Sequence, residues 1–279
     1  MANSKDVFSD LARQITLNEP VEEIESILYL LFDRHFGLSR KDILAGKKID
    51  WDAAAGNVFI RRINSHEPIQ YILGETDFYS RSFRVNPTVL IPRPETELLV
   101  DEILPLVIGH TAPAILDIGT GSGCLAVTLA KELPLAKVTA TDVSPAALTV
   151  ARQNAIRHHA EIEFILHDIL TSEVLGSHPD IIVSNPPYIT QEEKGLLKEN
   201  VLNYEPHTAL FAPPTDSLAF YRAIAAYGEK TVPAGGSVVV EINERYGAAV
   251  SAIFIDLGFR AAVTKKDLNE KDRIVVATR

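Results

Sequence analysis

The sequence predicts an α/β protein: a doubly wound, mostly parallel sheet preceded by a small N-terminal helical bundle and a β-hairpin linker. Three observations predict it. From residue 114 onward, short apolar runs alternate with helical patterns. The first run, Ala114-Ile115-Leu116-Asp117-Ile118, enters the glycine-rich turn Gly119-Thr120-Gly121-Ser122-Gly123. The fourth, Asp180-Ile181-Ile182-Val183-Ser184, ends in Asn185-Pro186-Pro187-Tyr188.

Residues 1–70 show a helical period. Val7, Phe8, Leu11 and Ile15 fit one face, and Val21, Ile24, Leu28, Leu31 and Phe32 fit a second after Pro20. Gly37 stops that helix, and Ser39-Arg40-Lys41-Asp42 reads as a capping box for a short third. Asp50 is expected to cap a fourth helix running through Val58 and Ile60 to Ile63. No cluster of reactive side chains lies here, so this bundle is expected to dock a substrate. Over residues 71–92, Phe78 and Tyr79 face Phe83 and Val85 across Ser80-Arg81-Ser82, which predicts a hairpin. Residues 93–279 form the third part. Pro94 and the acids Glu95 and Glu97 open a helix over 98–106. Strands are predicted at 114–118, 137–141, 162–167, 180–184 and 236–241, with a closing hairpin near 259–263 and 273–278. The segment from Ile189 to about Pro214 is long enough for a lid-like loop.

The strand ends carry the chemistry, as ligands of open parallel sheets bind there. Gly119, Thr120, Gly121, Ser122 and Gly123 form a turn that admits a close ligand. The absence of Gly-Lys-Ser/Thr excludes a P-loop, and Cys124 departs from the dinucleotide spacing. Asp142, ending the second strand, is expected to grip ribose hydroxyls. Asp168, with Ile169 beside it, is expected to meet an adenine. Asp117 either fixes the glycine turn or meets an ammonium group. In Asn185-Pro186-Pro187-Tyr188, two prolines remove N–H donors and leave carbonyl acceptors in a stiff frame. An amide oxygen and a flat ring stand beside them. This set suits an –NH2 group aimed at an electrophile.

Composition narrows the class. The chain has 279 residues, 46% of them hydrophobic, and 27 basic against 37 acidic side chains, for a net charge of −10. Nucleic-acid binders neutralise phosphates with basic faces, and the pairs Lys47-Lys48 and Arg61-Arg62 are short. A protein or small-molecule substrate is therefore expected, with no nucleic acid and no membrane. One cysteine, Cys124, is expected to pack beside the glycine turn, and the location is expected to be cytoplasmic. The histidines show no metal-ligand spacing, and His158-His159 is expected to be solvated. No feature demands more than a monomer.

Several segments together resemble the release factor glutamine methyltransferases, a family of class I S-adenosylmethionine-dependent methyltransferases. They are Pro68-Ile69-Gln70-Tyr71-Ile72-Leu73-Gly74, Val89 through Glu97 with its Pro-Arg-Pro-Glu-Thr-Glu run, Leu116 through Cys124, Ser184 through Ile189, Glu205-Pro206 with Ala209-Leu210, and Lys271 through Val275. The chain departs from the family pattern at Ala212–Leu218 and at Asn243–Tyr246. The resemblance implies S-adenosylmethionine as cofactor, leaving as S-adenosylhomocysteine. It implies class I peptide chain release factors as protein substrate, methylated on the glutamine of their Gly-Gly-Gln motif. It assigns Asn185, Pro186 and Tyr188 to catalysis, with Pro187 beside them in substrate binding. Asp117, the glycine turn, Asp142, Asp168, Ile169 and Asn185 would hold the cofactor. Asn-Pro-Pro-Tyr also occurs in enzymes that methylate adenine or guanine amino groups in DNA or rRNA, which is the alternative reading.

Overall fold

A computed structural model describes every residue except Ser172 and Ser177. Two compact units emerge: Met1–Glu75 with Lys198–Tyr204, and Thr76–Leu197 with Glu205–Arg279.

The first unit contains β1 (Ala2–Asn3), α1 (Ser4–Gln14), α2 (Val21–Phe36), α3 (Arg40–Leu44), β2 (Lys48–Ile49), α4 (Ala53–Asn64) and α5 (Ile69–Leu73). Phe8, Leu11, Leu28, Leu31, Phe32, Ile43, Ile60 and Ile63 are buried together as its core. Val21, expected on the buried face, is 66% exposed because it occupies the first turn of α2. The capping box at Ser39 forms as expected. The cap of α4 is Asp52, not Asp50: its carboxylate accepts from the Ala54 N–H at 2.8 Å. A helix at Glu199–Tyr204 joins this unit, and the Tyr204 hydroxyl donates to the Ser65 carbonyl at 2.6 Å.

The second unit begins within a hairpin of β3 (Glu75–Phe78), from its second residue Thr76, and β4 (Arg81–Arg84). Its turn is Tyr79-Ser80, shorter than the Ser80–Ser82 connection expected, with φ of 48° and 59°. Positive φ at both central residues marks the turn that matches strand twist, usually built from Asn and Gly. Here tertiary bonds offset the strain. The Tyr79 N–H donates to Glu97 at 2.7 Å and its hydroxyl to Asp101 at 2.9 Å.

The main sheet holds β5 (Ala114–Ile118), β6 (Lys137–Asp142), β7 (Ile162–Leu166), β8 (Ile181–Ser184), β9 (Ser237–Glu241), β10 (Ala261–Lys266) and β11 (Asp272–Thr278). Their order is β10-β11-β9-β8-β5-β6-β7. The strands from β7 through β9 pair in parallel, and β11 and β10 complete the sheet antiparallel. Strand alternation sends Ile115, Val183 and Val239 to one core with α6 (Glu97–Leu106), α7 (Cys124–Glu132) and α8 (Pro145–Arg157). It sends Leu116, Ile182, Val238 and Val240 to the opposite core. The connection after β8 is not structureless: it carries α9 (Glu199–Tyr204), α10 (His207–Leu210) and a bridge between Ile189 and Phe211. The helices α11 (Ala219–Thr231) and α12 (Gly247–Asp256) cover the second face. This is the doubly wound, mostly parallel sheet that the alternation predicted.

Strand order reverses at β5, which lies between β6 and β8. Ligands of open α/β sheets sit at that switch, outside the carboxyl ends. Pairing of Ile118 with both Thr141 and Ser184 brings Gly119, Asp142 and Asn185 to one edge.

Candidate active site

The glycine turn leaves β5 with φ of 75°, 55° and 80° at Gly119, Gly121 and Gly123, a backbone that disfavours side chains. At Gly123 the need is also spatial, since a Cβ would stand 3.0 Å from the Ala151 Cβ of α8. The turn is tied internally. The N–H groups of Gly119 and Thr120 donate to the Thr141 carbonyl, and that of Gly123 to the Thr120 carbonyl. The Gly121 N–H donates to Asp142 Oδ2 at 2.9 Å. These four donors are spent inside the protein, so the turn is a wall for a ligand rather than a comb of donors for a pyrophosphate.

Beside it opens a cavity of about 810 Å³, measured out to solvent. Gly119, Gly121, Asp142, Asp168, Ile169, Asn185, Pro186 and Pro187 all line it, so four strand ends converge as the sequence suggested. Asp117, Thr120 and Ser122 are buried behind the turn and, with Gly123, lie outside the lining. Asp142 already accepts from Gly121 and, at 2.8 Å, from the Ser144 N–H; each oxygen keeps a lone pair for a ligand hydroxyl. Asp168 Oδ1 accepts from the Leu170 N–H at 2.9 Å.

Asp117 is fully buried under the turn. Its Oδ2 accepts from the Thr120 hydroxyl at 2.7 Å, which fixes the turn, while Oδ1 has no partner. Burial raises its carboxyl to about 7; the neighbouring Asp142 adds to the rise and Thr120 opposes it. Burial also raises Asp142 above its ordinary value. Two desolvated carboxylates, one with an orphaned oxygen, make a site that a cation would satisfy. S-adenosylmethionine, with its ammonium, sulfonium and ribose hydroxyls, fits that donor and acceptor set.

Tyr188 lies outside the cavity lining. Its ring packs against the core under α11, and its hydroxyl donates to Glu241 Oε1 at 3.1 Å. Burial raises that hydroxyl above the ordinary tyrosine value. Arg93 also points elsewhere: it pairs with the buried Glu205 at 2.5 Å, which accepts from the Ile91 N–H at 3.1 Å as well. Sequence reasoning gave no role to Thr88, His167, Phe220 or Ile224, which also line the cavity. Thr88 and His167 lie in connections and Phe220 and Ile224 on α11, and no local pattern marks them. His158, expected to be solvated, holds the Ser82 carbonyl at 2.8 Å. Cys124 is buried, with its thiol pushed up to about 12 by desolvation. Among the described residues no group of side chains is arranged to hold a metal ion, and no helix is long and apolar enough to cross a membrane.

Residues 94–204 match the family described as methyltransferase small domain. The chain is 43% identical over 264 residues to the release factor glutamine methyltransferase of Bacteroides thetaiotaomicron, covering 93% of this chain and 94% of that one. It is 42% identical over 260 residues to that of Flavobacterium psychrophilum, covering 91% of each. Among solved structures, the 16S rRNA N2 G1207 methyltransferase of T. thermophilus in complex with AdoMet and guanosine aligns with a TM-score of 0.53. That alignment covers 74% of this chain and 49% of that one at 16% identity, a likeness of fold.

Proposed function

The chain belongs to the release factor glutamine methyltransferase family, and from that premise we propose that it methylates the side-chain amide nitrogen of the glutamine in the Gly-Gly-Gln motif of class I peptide chain release factors. One observation carries this reading. Asn185 and Pro186, an amide and a bare carbonyl on a stiff turn, share a cavity with the glycine turn, Asp142 and Asp168.

S-adenosylmethionine, when bound, supplies a methyl group activated by its sulfonium charge. Asp117 Oδ1 and the glycine turn would hold its amino-acid end, Asp142 its ribose, and Asp168 with Ile169 its adenine. The remaining work falls to the turn after β8. An amide nitrogen is a poor nucleophile because its lone pair is delocalised, so position and charge stabilisation must supply the rate. Asn185 Oδ1 and the Pro186 carbonyl accept the two N–H bonds of the glutamine amide. They fix its plane and face the positive charge that grows on nitrogen. Orientation of this kind supplies several kcal/mol of barrier reduction. The methylated nitrogen is acidic and releases its proton without a strong base. Tyr188, beside the substrate amide, also anchors the turn through its hydroxyl on Glu241. The helical unit is assigned to docking the release factor, in a cytoplasmic setting and as a monomer.

The test is transfer of labelled methyl from S-adenosylmethionine to a purified class I release factor, beside its Gly-Gly-Gln glutamine variant and a duplex DNA. Label on the wild-type factor alone supports the reading. Label on DNA alone would move the chain to the amino-group methyltransferases of nucleic acid.

A further inference from the structure

An asparagine amide has an acceptor oxygen and a donor nitrogen, and only the oxygen serves an incoming N–H. Which end of Asn185 faces the cavity is decided behind it. Asn185 Nδ2 lies 3.0 Å from Thr96 Oγ1. Thr96 Oγ1 lies 2.7 Å from Glu241 Oε2, and Glu241 Oε1 lies 3.1 Å from the Tyr188 hydroxyl. Thr96 is 3% exposed and Glu241 1%, so these groups must satisfy one another. Strand register builds the juxtaposition. Ser184 of β8 pairs with Val240 of β9, which sets Asn185 and Glu241 side by side at the sheet edge. Thr96 reaches them from the single turn of 3-10 helix ahead of α6.

Hydrogen counting then gives the direction. A carboxylate only accepts. Thr96 has a single hydrogen, and it goes to Glu241, leaving lone pairs for Asn185. Asn185 must therefore offer its NH2 to Thr96 and turn Oδ1 to the cavity. A neutral group at 241 with a hydrogen to give would free Thr96 to donate, and the flipped amide would become equally good. Burial raises the Glu241 carboxyl above its ordinary value; the hydroxyls of Thr96 and Tyr188, and then Arg273, pull the other way toward the ionised form, while Glu95 adds to the rise.

We propose that Thr96 and Glu241 are positioning residues that orient the Asn185 amide, so that its oxygen and not its NH2 meets the substrate nitrogen. The proposal rests on the reading of Asn185 as acceptor for the glutamine amide. Thr96→Val keeps the side-chain shape and loses the hydroxyl; Thr96→Ser keeps the hydroxyl. Methyl transfer to the release factor, cofactor Kd by calorimetry and Tm are measured for each. Thr96→Val should lower kcat by about 10- to 100-fold, the range for losing a hydrogen bond linked to a charged group. Cofactor Kd should stay within about twofold, because the relay orients the acceptor and not the cofactor. Thr96→Ser should restore kcat to within about threefold, since it restores the only hydrogen in question. Full kcat in Thr96→Val, or equal slowness in both variants, overturns the relay. Should Thr96→Val not fold, Glu241→Gln decides: its amide admits both directions, and an undiminished kcat in that folded variant overturns the proposal. A wild-type chain that transfers nothing to the release factor overturns the functional reading and this proposal with it. An active wild type beside an unimpaired variant overturns this proposal alone.

Discussion

Asp117 offers a sharp test of the site's electrostatics. Its carboxyl is raised from 3.8 to about 7, with burial the main cause. The folded protein therefore loses stability as pH rises through the window between those values. That contribution is fully present below about 3.8 and gone above about 7. Each pH unit of difference is worth about 1.4 kcal/mol, so the whole window amounts to about 4 kcal/mol. Asp117→Asn removes the ionisation. It also leaves amide hydrogens without acceptors, a penalty of about 1–3 kcal/mol that is constant with pH. The useful quantity is the difference between wild type and variant, followed by urea unfolding from pH 5 to 8. Wild type should lose about 3 kcal/mol relative to Asp117→Asn over that range, as linkage requires. Titrations not coupled to Asp117 cancel in the difference, and the coupled Asp142 contributes only the smaller part of the rise. A difference flat to within about 0.5 kcal/mol would refute the argument, since a one-unit shift alone exceeds it. Binding supplies a second arm. Cofactor affinity should rise by up to about tenfold per pH unit below 7 in wild type, because a cation favours the ionised form, and level off above it. Equal slopes in wild type and Asp117→Asn would remove Asp117 from contact with the cofactor's ammonium.

Three further outcomes are expected. Asn185→Ala should cut turnover by about 10²- to 10³-fold, the effect of removing one preorganised electrostatic partner, with cofactor affinity nearly unchanged by calorimetry; an unchanged kcat would end its role. Gly123→Ala meets both a φ of 80° and the Ala151 Cβ at 3.0 Å. It should destabilise by about 2–4 kcal/mol, from left-handed backbone strain plus overpacking, read as a fall in the urea midpoint at constant slope. Arg93→Ala strands the Glu205 carboxylate, whose side chain is 1% exposed. The expected loss is about 3–5 kcal/mol, and a midpoint within error of wild type would show that the pair carries no net stabilisation.

Much of the fold was legible because its signals are local. The strand Ile181–Ser184 is buried on both faces, so it reads as an unbroken apolar run. The glycine turn and Asn-Pro-Pro-Tyr announce themselves because backbone conformation there is restricted to glycine and proline. The caps at Ser39 and Gly37 follow from short-range hydrogen bonds. Local rules failed where tertiary bonds outweighed them. Tyr79 and Ser80 adopt a turn that propensity gives to Asn and Gly, held by Glu97 and Asp101 from α6. Asp50 and Asp52 are equivalent as capping residues on paper, and the helix starts at Ala53, so the second caps it.

The chain by itself determined which residues have the chemistry to accept an –NH2 group, to meet a cation and to hold a ribose, because those properties belong to side-chain type and to turns of a few residues. Only the tertiary structure decided that Asn185 and Asp142 face one cavity, with Asp117 buried behind the glycine turn that walls it. Strand order puts β8 beside β5 although β6 and β7 intervene in sequence, and register aligns their ends. The same register sets Glu241 beside Asn185, with Thr96, 89 residues before Asn185, between their side chains. Hydrogen bonds of that kind leave no trace in spacing. Their partners are chosen by which strands pair, and pairing is settled by burial of the whole sheet.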